Sequence, residues 1–272
     1  MDVIKPDLAD RGLPKQADAG QVTVTASDTA YKAASHTLDM RDWNPSRGSA
    51  DTDLLPEKGD IDARARDLSR NEPVARGGIN SQLDTVVATG ATLRPIPDYR
   101  ALGMTKQQAD EWARDVRSRF HDYVDSCGID ATWHDNLAGL TRLFYRSKLT
   151  VGEGCAIPVY LPNRPGVRYG TAIQIIDPDR VSNPNFIPDK EDLRSGIQID
   201  EFGAAVGYHV QKAHPADAFF GSTAPYEWEY IEARTSWGRP RFIHAFEKER
   251  PDQHRGVSVM AAMMSQFKLL SE

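Results

Sequence analysis

The sequence predicts an α+β fold, with helices first and short mixed strands later. Two observations carry this. From Ile61 to Gly152, apolar residues recur at the spacing of one helix face. Beyond Gly152 the apolar runs become short and are broken by Pro, Gly, Asn and Asp clusters. The two patterns do not alternate, which argues against a doubly wound parallel sheet.

Each element has its own signal. Ile61, Ala65 and Leu68 mark a first helix, interrupted at Pro73, and Ile79, Leu83, Val86 and Val87 mark a second that stops at Gly90. Pro95 and Pro97 open an extended connection. Thr105 with Gln108 reads as a capping box for a helix whose face runs through Trp112, Val116, Phe120, Tyr123, Val124 and Cys127 to Gly128. Asp135 is the expected N-cap of the next helix, with Leu137, Leu140, Leu143, Phe144 and Ser147 as its buried stripe and Gly152 as its end. Strands are expected over Ala156–Leu161, Thr171–Ile176, Ile197–Ile199, Val206–Gln211, Tyr230–Ala233 and Arg241–Phe246. A last helix is expected from Ser258 to the final residue, with Met260, Met263, Met264, Phe267 and Leu270 along one side.

The first sixty residues differ from the rest. They hold seven Lys/Arg against eleven Asp/Glu and show no sustained apolar period. Residues 1–60 are therefore expected to form a flexible arm, with a short strand at Gln21–Thr25, either as a plain tail or as a segment that orders on a partner.

Charge and composition narrow the function. The 272 residues carry 33 Lys/Arg against 39 Asp/Glu, a formal net charge of −6. Such a balance disfavours electrostatic wrapping of DNA or docking on an anionic membrane. No apolar run is long enough to span a bilayer, and residues 1–20 lack the apolar stretch of a secretory signal. Two cysteines make neither a disulfide framework nor a zinc cluster, so a reducing intracellular setting is expected, without cofactor.

No strong catalytic motif is present: neither a P-loop nor a Rossmann, zincin or nucleophile-elbow signature. His209 and His214 lie five apart, on opposite faces if both are on a strand, which is poor for sharing one metal. Cys155 follows Gly152-Glu153-Gly154 but has no local base to lower its thiol pKa, so it reads as a small buried apolar residue. Asp177 and Asp179 flank Pro178, where carboxylates make a turn as readily as a metal site. Arg64, Arg66, Arg70 and Arg76 alternate with Asp62, Asp67 and Glu72. They read as an ion-paired helix face or as a subunit or phosphate contact.

From residue 41 onward the sequence resembles the lambda-type phage portal proteins. The resemblance rests on Arg41-Asp42-Trp43-Asn44-Pro45, Ser49-Ala50-Asp51-Thr52-Asp53 and the run from Ala63 to Pro73. It continues through Gly152-Glu153-Gly154, Ile176-Asp177-Pro178-Asp179-Arg180, Gly196-Ile197-Gln198-Ile199-Asp200, Tyr208-His209-Val210 and His254-Arg255-Gly256-Val257-Ser258. Their order and spacing over residues 41–272, more than any one segment, make it specific.

The resemblance implies a non-enzymatic machine part. It implies a homo-oligomeric ring of about twelve subunits at one vertex of the virion, assembled in the host cytoplasm. It also implies a terminase large subunit, capsid or scaffold proteins and head-tail joining proteins as partners, and double-stranded DNA passing without sequence specificity. By that likeness 61–256 is a portal wing-like domain and 257–272 the start of a truncated stem helix. Arg64, Arg66 and Arg70 are then candidates for cross-subunit ion pairs, Trp43 (with Pro45) for an arm anchor, Arg255 (with Gly256) for the turn into the stem, and Phe267 and Leu270 for an orphaned helix face. Two other readings stay open: a metal-dependent nuclease or hydrolase built on Asp177, Asp179, His209 and His214, and a decayed prophage remnant acting as a monomeric binding module.

Overall fold

A computed structural model describes Met40, residues 42–221 and residues 223–270. The strand expected at Gln21–Thr25 lies outside the described residues. The chain divides into two units, residues 1–47 and 48–272. In the first, the Trp43 amide donates to the Met40 carbonyl at 3.2 Å and the Trp43 side chain is exposed.

The second unit begins with helices. They are α1 (Ala50–Leu54), α2 (Lys58–Asn71), α3 (Pro73–Val86), α4 (Lys106–Val124) and α5 (Leu137–Val151). Pro73 stands in the first turn of α3, where its missing N–H costs nothing, and Glu72 caps that turn through the Ala75 amide at 2.7 Å. The α4 capping box forms as expected, with Thr105 and Gln108 each accepting the other's backbone N–H. Helix α5 ends on Gly152 in the left-handed region.

Among the described residues, seven strands follow in two antiparallel sheets. They are β1 (Glu153–Tyr160), β2 (Thr171–Ile176), β3 (Leu193–Arg194), β4 (Ile197–Ile199), β5 (Ala205–Gln211), β6 (Trp228–Glu232) and β7 (Ile243–Phe246). The first sheet has the order β2-β1-β7 and the second β3-β4-β5-β6. Helix α6 (Met264–Leu270) follows a 3-10 turn at Ala261–Met263.

Three apolar clusters hold these layers. Ala65, Leu68, Ile79, Leu83 and Leu149 join α2, α3 and α5, with Met260 buried among them and Met264 and Phe267 packed alongside. Cys155, Ile176, Ile197, Tyr208, Val210 and Ile231 fill the space between the sheets. Ile173 and Ile175 point to the other face of β2, as the strand period requires, and meet Val124, Ile129 and Leu140.

The structure corrects several boundaries. Helical structure starts at Ala50, not near Ile61, so residues 48–60 belong to the compact unit and not to an arm. Helix α1 escaped because one of its two buried residues is Asp51, a carboxylate that pairs with His254. Helix α4 stops at Val124 and gives way to a 3-10 turn at Cys127–Ile129. The Asp130 carboxylate then gathers the amides of Thr132, His134 and Asp135. The N-cap of α5 is Asn136, not Asp135. No boundary falls at residue 257: Met260, Met264 and Phe267 share the core of α2, α3 and α5, and the last helix starts after Ser258.

Candidate functional site

The segment after α5 carries Glu153 into the molecule with no exposed surface. A buried carboxylate needs compensating charge and donors. Three side chains and one backbone amide supply them. Arg255 donates through Nε to both carboxylate oxygens at 2.9 and 3.0 Å, and pairs again through its terminal nitrogen. His244 on β7 lies at 2.9 Å through Nε2. Lys58, in the first turn of α2, stands at 3.3 Å. The Gly256 amide also donates, at 3.1 Å.

The cations are themselves satisfied. The Arg255 guanidinium donates to the carbonyls of Val181, Ser195 and Pro178 at 2.9, 2.8 and 3.1 Å. Lys58 donates to the carbonyls of Val151 and Gly256 and pairs with Asp62 at 3.0 Å. One cluster of side chains therefore ties α2, β1, β7 and the loops of the second sheet to the segment before α6. Burial opposes ionisation of Glu153, but Arg255 and Lys58 outweigh it and hold the carboxyl well below its usual range. Asp62 goes the other way: burial exceeds the pull of Lys58 and raises it to about 6, and its Oδ1 has no hydrogen-bond partner.

The backbone crossing at this point requires glycine. Gly152 has φ +86°, and a Cβ there would lie 2.3 Å from the Val257 backbone. A Cβ on Gly256 would lie 2.1 Å from the Gly152 carbonyl oxygen. Beside the crossing, His254 donates its amide to Asp51 at 3.0 Å. Its ring bridges Asp51 at 2.6 Å and the Gly203 carbonyl at 3.2 Å.

A second charged cluster lies about two turns farther along α2, at Arg66. Arg66 forks across Asp179 at 2.6 Å and Asp177 at 2.9 Å. Burial raises the Asp179 pKa, but Arg66 outweighs it and the net shift is downward. His214 stands 3.4 Å from Asp179 and accepts from the Ala216 amide. Asp177, Asp179 and His214 could together reach one cation, but the guanidinium already spans both carboxylates. His209 is not part of the group and lies against Tyr230. Cys155 is fully buried, and burial pushes its thiol well above the usual value.

The interface candidates fare unevenly. Arg255 is buried within the chain, where it anchors Glu153. Arg66 is committed within the chain. Phe267 is half-buried against its own helical core, because α6 folds back on α2. Arg64 stays exposed with a loose contact of 3.6 Å to Asp60, and Arg70 is exposed. The side chain of Leu270 lies outside the described residues. Sequence reasoning gave no role to Lys58, His244 or the Asp51–His254 pair, and placed Asp62 on a surface ion-paired face where the structure buries it. The available signal was Glu153 between two glycines and Gly256 directly after Arg255, which mark close backbone approach around a charge.

One charge network binds three layers of the fold, and arginine already spans a second carboxylate pair. The family description "Phage portal protein, lambda family" matches residues 36–272. The portal protein of Escherichia phage N15 is 34% identical over 233 residues, 85% of this chain and 43% of that protein. Portal protein B of Escherichia phage lambda is 31% identical over 233 residues, with the same coverage of 85% and 43%. The chain belongs to the lambda family of phage portal proteins. It spans less than half the length of these relatives. Among the described residues no helix is long and apolar enough to cross a membrane.

Proposed function

We propose that this chain forms the wing-like part of a phage portal subunit, in a closed ring of about twelve copies at the capsid vertex. The observation that carries this is the family match across 36–272, supported by two relatives named as portal proteins. DNA enters and leaves the head through the ring, driven by a separate terminase, and head-tail joining proteins assemble on it. The net charge of −6 suits a passage that DNA slides through without gripping many phosphates. The role is structural: Arg66 spans the Asp177 and Asp179 carboxylates, and Cys155 is fully buried with its thiol pushed well above the usual value. Arg64, Arg70 and Trp43 remain exposed and available to neighbouring subunits.

Native mass spectrometry of the full-length product of the reading frame tests the ring. A closed assembly of about a dozen copies is expected. A monomer at tens of micromolar overturns the proposal, and specific divalent-metal binding lost in Asp177→Ala moves the weight to metal-dependent chemistry.

A further inference from the structure

The paired strands β5 and β6 end in two unlike surfaces. At the Gln211–Trp228 end, the 3-10 turns Pro215–Phe220 and Ala224–Tyr226 pack together and present bare aromatic rings. Phe219 and Phe220 are 89% and 82% exposed and meet edge to face. Phe186, 63% exposed, sits edge-on to Tyr226 and Trp228. At about 200 Å² per ring, the exposed aromatic area is on the order of 500 Å², the size of a functional patch. The charges around it are mainly acidic. Asp177, Asp179, Asp217, Glu227 and Glu229 outnumber Arg66, Arg180 and Lys212.

The Gly207–Glu232 end is the opposite in sign. The chain from Ala233 to Phe246 contains Arg234, Arg239 and Arg241 and no acidic residue. Arg241 pairs with Glu232 at 2.9 Å, and among the described residues Arg234 and Arg239 have no carboxylate within ion-pair distance. Trp237 stands 72% exposed between two clefts, one lined by Tyr230 and Arg234, the other by Tyr160 and Arg239. Four register steps of paired strand, about 14 Å, separate the two ends. The same rigid ribbon thus carries an aromatic, acidic surface at one end and an aromatic, basic surface at the other.

We propose that these are the two halves of one heterologous contact between copies of this chain. The Phe219–Phe220 end of one copy seats on the Trp237 hairpin of the next. The inference rests on the ring reading above and names the surfaces that close it. Charge complementarity favours a second copy, because each copy carries both signs at opposite ends, and a head-to-tail contact is what closed rings use. The aromatic rings supply the desolvated centre of such a contact and the charges its rim and register.

Charge reversal tests it. Arg234→Glu with Arg239→Glu, and separately Asp217→Lys with Glu229→Lys, are each expected to require roughly tenfold more protein for assembly in native mass spectrometry. All four changes together are expected to recover assembly, because the signs match again. Phe219→Ser with Phe220→Ser is expected to prevent assembly at an unchanged melting temperature, since both rings are outside the core. Full assembly of every reversed variant, with wild type also assembling, overturns this contact alone. A wild type that stays monomeric overturns the ring reading and this contact with it.

Discussion

Replacing Glu153 by Gln removes one charge from a fully buried site where two cations face it. Breaking a buried pair in this way is expected to cost about 3–5 kcal/mol, read as a lower urea midpoint. Asp62→Asn has the opposite sign. The Asp62 pKa rises from 3.8 to about 6 on folding, so its protonated form is the one that folding favours. Its contribution is full below 3.8 and is lost as pH rises through about 6. The Asn variant is therefore expected to be more stable than wild type by about 1–3 kcal/mol at pH 8, with the advantage vanishing near pH 4. Denaturation at several pH values between these limits measures it, and a constant difference across the range excludes Asp62 as the source. Glu153 gives the reverse slope: its stabilisation is present above the ordinary carboxylate range and is lost only in stronger acid. Gly256→Ala is expected to cost about 2 kcal/mol or more, since its Cβ would strike the Gly152 carbonyl.

At the scale of single elements, α6 distinguishes packing from exposure. Phe267 lies against the core of α2, α3 and α5, while Leu269 is 72% exposed on the same helix. Phe267→Ser is expected to lower the melting temperature by roughly 4–8 °C and Leu269→Ser to leave it nearly unchanged. Equal effects would mean that α6 does not pack as described. The elements legible in the sequence were those with a strong local cause. The capping box at Thr105, the stop at Gly152 and strands β2 and β4 needed nothing beyond neighbouring residues. Strand β3, two residues long, and helix α1, whose buried face includes a carboxylate, offered no apolar period. The site was half legible. The segments around Glu153, Asp177 and Arg255 stood out as motifs, but their meeting in space depends on contacts a hundred residues apart in sequence.

Across residues 48–270, the shared cores and the charged cluster leave no layer independent of the others. Unfolding in urea is expected to be one cooperative transition, with tryptophan fluorescence and far-ultraviolet circular dichroism coinciding. Two separated transitions would show that helices and sheets are joined more loosely than the Glu153 network implies. The same network also orders events during synthesis. Glu153 leaves the ribosome about a hundred residues before the arginine that neutralises it, a delay on the order of 5–20 s at ordinary elongation rates. Until Arg255 emerges, the carboxylate stays hydrated and β1 lacks its partner β7. The segments on either side of the Glu153 carboxylate are thus held open until Arg255 has been translated.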